Sequence, residues 1–233
     1  MDKFFCDKFL NIIFPPKCGF CGEVTINKRF ICEKCHDLST QKYINRCKFC
    51  GKISYESICS ECSNKRIYYE KLIFCSEYTE EFKHKIHLYK FSDKKYYYHF
   101  FTELISERVR NEEFDLIIPV PISKERYKER GYNQAELISK KLARILDKPY
   151  SSDILIKTRN NERQSMQNFK DRIKSIKNVF EVADNIKVSD KKILLIDDIF
   201  ATGSTVNECC RVLKKAGVKD IKVAVICISH TLK

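Results

Sequence analysis

Eight of the nine cysteines in the first 62 residues form four C-x-x-C pairs, and this spacing restricts the local fold more than any other feature. Two thiolates separated by two residues lie on one tight turn and can bind the same tetrahedral zinc ion. Four thiolates complete the coordination shell and leave no position for water, which is typical of structural zinc. We therefore predict two structural zinc sites. Their ligands are Cys18, Cys21, Cys32, Cys35, Cys47, Cys50, Cys59 and Cys62.

The pairing of the four C-x-x-C units is suggested by an internal repeat. CGFCGEVTINKRFICEKC and CKFCGKISYESICSEC share C-x-F-C-G at one end and I-C-x-x-C at the other. The repeat favours sequential pairing, with one zinc ion in each unit. The intervals of 10 and 8 residues inside the units are shorter than usual for zinc ribbons, so a cross-braced pairing remains an alternative.

The pattern changes near residue 70, where apolar runs alternate with segments of helical periodicity. The runs KLIFCSEY, FDLIIPVP, KKILLID and IKVAVICIS are predicted strands, and YNQAELISKKLARIL and STVNECCRVLKKAG are predicted helices. Strands that alternate with helices favour parallel pairing, and apolar runs without polar alternation indicate strands covered on both faces. We therefore predict a doubly wound α/β domain, in which ligands bind beyond the carboxyl ends of the strands.

The segment KKILLIDDIFATGST places two acids where a predicted strand ends, with a small polar turn just after them. The carboxylates of Asp197 and Asp198 accept hydrogen bonds only, which suits a sugar diol or a cation rather than a phosphate. The turn offers backbone N–H groups, hydroxyls and a helix start, which suit a phosphate. A sugar phosphate uses all of these groups, whereas the alternative is an ordinary turn in which the acids cap the helix. The predicted phosphate-binding residues are Ala201, Thr202, Gly203, Ser204 and Thr205.

Other phosphate-binding signatures are missing from the sequence. It contains no G-x-x-x-x-G-K-[ST] P-loop and no G-x-G-x-x-G motif after a strand. The pair of acids separated by one residue that marks aspartyl-phosphate phosphatases is also missing. These classes of phosphate-handling enzyme are therefore excluded.

Two basic segments are candidates for binding a leaving diphosphate. PVPISKERYKERGYNQ follows a predicted strand end, and residues 158–172 have the long polar profile of a loop that closes over a site. Positioned cations stabilise the charge that develops on a leaving phosphate group. The alternative for both segments is a solvated basic loop. The candidate residues are Arg126, Arg130, Gly131, Asn133, Gln134, Arg159, Arg163, Gln164 and Arg172.

The chain of 233 residues has a formal net charge of +13. Such a charge favours contact with nucleic acid or anionic metabolites, although the basic residues are spread along the chain. Phe20, Tyr127 and Tyr132 lie near basic residues in the sequence and suit stacking on unpaired bases, with packing as the alternative.

The N-terminal residues 1–16 are apolar but interrupted by charges. We predict an amphipathic helix there rather than a secretory signal. The sequence has no apolar run near the length of about 18 residues that a membrane span requires. We therefore expect a cytoplasmic protein that does not insert into membranes.

The string ILLIDDIFATGST resembles the ribose-5-phosphate and diphosphate-binding signature of type I phosphoribosyltransferases. The cysteine pairs, PVPISKERYKERGYNQAELISKKLARIL, RNNERQSMQNFKDRIKSIKNVFEV and that signature, in this order, resemble the ComF family of competence-associated proteins. The resemblance extends from FPPKCGFC to VAVICIS and is most specific in ERGYNQAE and LLIDDIFATGST.

This resemblance implies a type I phosphoribosyltransferase-like parallel sheet with helices on both faces, preceded by a small double zinc ribbon. Asp197 and Asp198 would hold the ribose hydroxyls of phosphoribosyl diphosphate (PRPP), with the 5-phosphate in the turn at 201–205. The family also implies magnesium-assisted transfer with release of diphosphate, and a role in natural competence and DNA uptake. We divide the chain into an N-terminal helix at 1–16, zinc ribbons at 17–66 and a phosphoribosyltransferase-like domain at 67–233.

An alternative within the same family is a protein without turnover. It would sense PRPP, or would bind single-stranded DNA or a competence helicase through its ribbons and basic surface. The sequence specifies neither the acceptor, a base or an amine, nor the oligomeric state.

Overall fold

The computed structural model of the protein describes residues 15–25, 29–40, 44–91, 94–158, 178–183 and 188–229. Most of the helix predicted at 1–16 lies outside these residues, as do Arg159, Arg163, Gln164 and Arg172. No helix within the described part of the chain is long and apolar enough to span a bilayer.

The centre of the fold is a parallel sheet of four strands in the order β1-β6-β5-β2. The strands are β1 (Lys71–Glu77), β2 (Leu116–Pro119), β5 (Lys192–Phe200) and β6 (Asp220–Ile228). Each strand pairs in parallel with its neighbours, and β5 and β6 are the two central strands. The doubly wound parallel sheet predicted from the alternating pattern is therefore confirmed.

Both faces of the sheet are buried, because successive side chains of one strand point to opposite sides. Leu194 and Ile196 of β5 pack with helices on one face, whereas Ile193 and Leu195 pack against the other face. This explains why the strands read as apolar runs without polar alternation. The helices that cover the first face are α3 (Glu80–Phe91), α4 (Tyr97–Val109) and α6 (Gln134–Leu146). The helix on the second face is α7 (Ser204–Lys215).

A small antiparallel hairpin lies beside α7. Its strands are β3 (Leu155–Lys157) and β4 (Phe180–Val182), and they flank the segment predicted to close over the site. Glu208 of α7 accepts a hydrogen bond from the Asn178 backbone N–H at 2.8 Å, which anchors the approach to β4 on the helix. The remaining described helices are α1 (Glu33–Thr40), α2 (Ser60–Ser63) and α5 (Lys124–Arg130).

The first cysteine-rich unit packs on α4. The Phe30 backbone N–H donates to Glu103 Oε2 at 2.7 Å, and His36 lies 3.2 Å from Glu107. Ile31 is buried in the same apolar cluster as Phe100 of α4. The first unit therefore shares its core with the α/β domain instead of folding as a separate module.

The second cysteine-rich unit attaches to the edge strand β1. The Leu72 backbone N–H donates to the Lys48 carbonyl at 2.7 Å, and the Tyr69 hydroxyl donates to the Phe49 carbonyl at 2.7 Å. These bonds extend the hydrogen bonding of the sheet into the second unit.

Candidate sugar-phosphate site and zinc centres

The two acids lie at an open edge of the sheet, although not where the sequence places them. We expected the strand to end at the acid pair, with Asp197 as its last residue, but β5 continues through both acids to Phe200, where it still pairs with Ile228 of β6. Its other neighbour, β2, ends at Pro119, which is paired with Ile196. The acids are therefore part of a strand that has lost one partner, at the carboxyl edge where ligands of such sheets bind.

Each carboxylate of the acid pair is held by one contact. Asp197 Oδ1 accepts a hydrogen bond from the Asp198 backbone N–H at 2.9 Å. Asp198 Oδ2 lies 2.7 Å from Nζ of Lys90, and both side chains in this ion pair are only 17% exposed. Lys90 lies in the last turn of α3, more than 100 residues away in the sequence. Sequence reasoning missed it, because a lysine in an amphipathic helix carries no motif.

The environment of Asp197 disfavours its charged form. Burial, together with the neighbouring carboxylate of Asp198, raises the pKa of Asp197 to about 7. The Asp198 backbone N–H and the positive charges of Lys90 and Arg126 act in the opposite direction. The acid pair therefore lies among cations from α3 and α5, and its net charge changes near neutral pH.

The turn after β5 leads directly into α7 and has a backbone conformation that favours glycine at its centre. Gly203 precedes α7 with φ +73°, a conformation that favours glycine, and a Cβ there would lie 2.4 Å from the Phe200 ring. Thr202 Oγ1 accepts from the Ser204 backbone N–H at 3.2 Å and lies 2.9 Å from Ser204 Oγ. Because Gly203 is the N-cap of α7, the acids do not cap this helix, and the alternative of capping acids is excluded.

The acid pair and the turn are accessible. Asp197, Asp198 and the five residues of the turn are all partly exposed, whereas Phe200 between them is buried. A cleft of about 380 Å³ borders Thr202, Gly203 and Ser204, and its other wall includes Arg66 and Tyr68. The turn therefore borders this cleft, and the acid pair lies beside it, partly exposed at the edge of the sheet.

The basic segment after β2 divides into two groups of residues. The positive charge of Arg126 opposes the rise in the pKa of Asp197. Arg130 lies 4.8 Å from the ring centre of Phe91. Gly131, with φ +73°, ends α5. Arg126 and Arg130 therefore remain candidates for binding a diphosphate.

Asn133 and Gln134 are part of the scaffold in this structure. Asn133 Oδ1 accepts from the Ala135 N–H at 3.1 Å, and its Nδ2 donates to the Val120 carbonyl at 3.0 Å. Gln134 is 1% exposed and accepts from Arg130 Nη1 at 3.3 Å. We therefore reassign Asn133 from diphosphate binding to helix capping, and Gln134 to supporting Arg130.

The eight ribbon cysteines form two separate groups of four. Cys18, Cys21, Cys32 and Cys35 make one group, and Cys47, Cys50, Cys59 and Cys62 make the other. Within each group the sulfur atoms lie within 4.8 Å of one another. The Cys21–Cys32 and Cys50–Cys59 sulfur distances are 3.6 and 3.7 Å, close to the roughly 3.8 Å edge of a tetrahedron with Zn–S bonds of about 2.3 Å. The ligand sets fit structural zinc, and they pair sequentially rather than in the cross-braced order.

Two of the three aromatic residues considered for base stacking are packed against or within the apolar core. Phe20 lies 5.5 Å from Phe82 between ring centres, and Tyr132 is 6% exposed with its hydroxyl on the Tyr89 carbonyl. Tyr127, on α5, is 50% exposed. The packing alternative is therefore correct for Phe20 and Tyr132, and only Tyr127 of the three remains available to stack on a base.

Comparisons with known proteins locate two families within the chain. A phosphoribosyl transferase domain matches residues 132–231, and a double zinc ribbon domain matches residues 9–63. The ribbon match begins inside the segment that we predict as a separate N-terminal helix. A solved adenine phosphoribosyltransferase from Thermoanaerobacter pseudethanolicus is 14% identical, covers 59% of this chain and 83% of its own, and superposes with a TM-score of 0.38.

Curated relatives match nearly the full length of the chain. Competence protein F of Haemophilus influenzae is 30% identical over 221 residues, which are 89% of this chain and 94% of that protein. Competence protein ComFC of Streptococcus pneumoniae is 26% identical over 204 residues, covering 82% and 84% of the two chains. The DNA utilization protein YhgH of Escherichia coli K12 is 24% identical over 217 residues, covering 90% and 89%. With this coverage and both domain matches in the same order, the chain belongs to the ComF family, in which a double zinc ribbon precedes a phosphoribosyl transferase domain.

Proposed function

We propose that the protein binds PRPP at the carboxyl edge of its sheet. The observation that supports this most directly is the position of Asp197 and Asp198 on the open edge of β5, separated by two residues from the turn at 201–205. In this proposal the carboxylates accept hydrogen bonds from the ribose hydroxyls, and the amides and hydroxyls of the turn hold the 5-phosphate. The match to the phosphoribosyl transferase domain supports the same assignment.

The reaction that this site would support is transfer of the phosphoribosyl group. A nitrogen nucleophile of a base or amine forms a bond to the anomeric carbon, the bond from that carbon to the diphosphate oxygen breaks, and the diphosphate leaves. Arg126 and Arg130 would offset the charge of the leaving group. Magnesium would be held mainly by the diphosphate oxygens, which are ligands that this ion prefers, and it would neutralise part of their charge.

The cellular role that we propose is participation in DNA uptake during natural transformation, in the cytoplasm. It rests on the names of the relatives, two of which are competence proteins, and on their coverage of 89% and 82% of this chain. The geometry of the sugar-phosphate site neither requires this role nor conflicts with it.

Calorimetry tests the binding proposal. The wild-type protein, titrated with PRPP and Mg²⁺, should bind one equivalent, and the variant Asp197→Asn/Asp198→Asn should show no measurable binding. The zinc content of the variant should match wild type, because neither acid belongs to the two groups of zinc ligands. Equal affinity of the two proteins would overturn the proposal.

Turnover is tested separately by measuring diphosphate release with PRPP, Mg²⁺ and a panel of bases and amines. Release that depends on one acceptor and disappears in the double Asn variant identifies an enzyme. Binding without release across a broad panel would instead identify a protein that senses PRPP.

A second candidate function is binding of single-stranded nucleic acid. It is favoured by α5, where the exposed Tyr127 lies between the exposed Lys124 and Lys128. A base can stack on such a tyrosine while the lysines contact phosphates. Affinity for a single strand should then fall steeply with salt and should decrease in Tyr127→Ala. Absence of binding at low salt would exclude this function.

A further inference from the structure

The acid pair is arranged so that one oxygen of each carboxylate is already engaged. Asp197 Oδ1 is fixed by the Asp198 backbone N–H, and Asp198 Oδ2 is fixed by Lys90 Nζ. Within the described part of the chain, no hydrogen bond or ion pair engages the other two oxygens, Asp197 Oδ2 and Asp198 Oδ1. Both acids are partly exposed on the unpaired edge of β5, so each can contribute one acceptor to a ligand that lies across this edge.

The position of Lys90 is itself fixed by the packing around the end of α3. Tyr89, which precedes it, is fully buried, and its hydroxyl donates to the Gln134 carbonyl at 2.8 Å. The Tyr132 hydroxyl donates to the Tyr89 carbonyl, and Phe91 on the other side packs under Arg130. The last turn of α3 therefore contacts the start of α6 on one side of Lys90 and the end of α5 on the other. A lysine held in this way can orient a carboxylate at a lower entropic cost than a lysine on a mobile surface.

We propose that Lys90 is the positioning residue that makes this acid pair specific for a vicinal diol. The inference rests on the proposed sugar-phosphate site and names the feature of the sugar that the site selects. Lys90 fixes the rotation of the Asp198 carboxylate and offsets the repulsion between two adjacent acids. The pair can then accept from both hydroxyls of a ribose phosphate at once, and a sugar phosphate that lacks them loses those bonds.

The expected size of the selection follows from the strength of hydrogen bonds to charged groups. Each such bond contributes roughly ten-fold or more to affinity, so a diol bound by both acids gains about 100-fold over a ligand without hydroxyls. Without Lys90, the Asp198 carboxylate must be ordered and its charge compensated when the ligand binds. The gain should then fall to about ten-fold, which corresponds to the bond made by Asp197 alone.

The experiment compares ribose 5-phosphate with 2,3-dideoxyribose 5-phosphate, each measured by competition against PRPP. Wild type should prefer the ribose compound by about 100-fold. In Lys90→Met the preference should fall to about ten-fold, mostly through weaker binding of the ribose compound. Lys90→Arg, which keeps the charge, should retain most of the preference. The matched control is Lys83→Met, which removes an exposed lysine from the same helix.

Three results would overturn the inference. A preference in Lys90→Met equal to wild type would show that Lys90 does not position the acid. An equal loss of affinity for both sugars would show that Lys90 attracts phosphate only through its charge. Tighter binding of ribose 5-phosphate to Lys90→Met would show that the lysine competes with the ligand. The inference alone is also wrong if wild type binds PRPP but shows no preference for ribose 5-phosphate over 2,3-dideoxyribose 5-phosphate. Absence of PRPP binding to wild type would instead contradict the proposed function itself.

Discussion

Asp197 is the residue whose ionisation most directly controls the candidate site. Its carboxylate faces the acid Asp198 on the same strand, the cations Lys90 of α3 and Arg126 of α5, and the buried Cys209 of α7. Burial and the adjacent acid outweigh the cations, so its pKa is raised to about 7. A protonated carboxyl has lost one of its acceptor positions and the charge that strengthens a hydrogen bond.

Affinity for PRPP should therefore increase as the pH rises from 6 to 8. The folded-state pKa of Asp197 is above its ordinary value of 3.8, so the acid is mostly protonated at pH 6 and mostly ionised at pH 8. For the same reason ionisation of this acid costs stability as the pH rises from about 4 to 7. Calorimetric titrations at pH 6, 7 and 8 measure the change in affinity.

The control for this pH dependence is Asp197→Asn. The phosphates of PRPP also titrate, with a second pKa near 6, and the variant retains that contribution but lacks the carboxyl. The wild-type affinity should therefore change more steeply with pH than that of the variant. Parallel profiles would mean that Asp197 is ionised throughout this range.

Two glycines with the same backbone conformation provide a matched test of the phosphate turn. Gly203 and Gly131 both have φ +73°, but only at Gly203 would a Cβ collide, with the Phe200 ring at 2.4 Å. Gly131→Ala should reduce the free energy of unfolding by about 1 kcal/mol through backbone strain alone. Gly203→Ala should cost about 1–3 kcal/mol more, because either the ring or the turn must move.

Thermal or urea unfolding measures both glycine variants. Gly203→Ala should also weaken PRPP binding, since the displaced turn carries the amides proposed to hold the 5-phosphate. Equal stabilities of the two variants would show that Phe200 moves aside without cost.

At the scale of helices and strands, the sequence predicts most of the architecture. Apolar periodicity correctly locates the strands β1, β2, β5 and β6 and the helices α6 and α7. Gly217 correctly indicates where α7 ends. Periodicity succeeds here because each strand is buried on both faces and each helix on one. The cysteine repeat likewise favoured the correct ligand sets.

The contacts that sequence reasoning missed depend on where a neighbouring element ends. The continuation of β5 through the acids follows from its pairing with β6, which no local pattern encodes. Lys90 reaches Asp198 because α3 ends above the sheet edge, and Asn133 is used as a cap because a helix begins at Gln134. These are tertiary placements, whereas the acids and the small polar turn could be identified by their chemistry.

The linker between the ribbons and the sheet is bound to the helix of the phosphate turn. The Tyr68 backbone N–H donates to Asn207 Oδ1 at 3.0 Å, and Asn207 Nδ2 donates to the Arg66 carbonyl at 3.0 Å. Asn207→Ala should reduce the free energy of unfolding by about 2 kcal/mol, since two hydrogen bonds of about 1 kcal/mol are lost. Lys215→Ala, at an exposed position of the same helix, should change it by less than about 0.5 kcal/mol.

Urea unfolding monitored by circular dichroism gives both values for this comparison. If Asn207→Ala reduces the free energy of unfolding no more than Lys215→Ala does, water replaces the Asn207 side chain in both hydrogen bonds.

At the scale of the whole molecule, the two zinc centres support different parts of the protein. Cys18 and Cys35 of the first ribbon are buried in the core cluster that contains α4. Cys50 and Cys62 of the second ribbon line the cleft whose other wall is the phosphate turn. Binding of zinc by such ligand sets supplies on the order of 10 kcal/mol, so each ribbon depends on its metal for structure.

The zinc centres should therefore differ in their effect on the sugar-phosphate site. The variants Cys18→Ser/Cys21→Ser and Cys47→Ser/Cys50→Ser should each retain about one zinc ion per chain, because the ligand sets are separate. Loss of the second zinc should release the linker at Arg66–Tyr68 and weaken PRPP binding, whereas loss of the first should mainly lower the unfolding temperature. Metal analysis, thermal unfolding and calorimetry on both variants measure these effects, and an equal loss of affinity in the two would mean that the ribbons support the site only through overall stability.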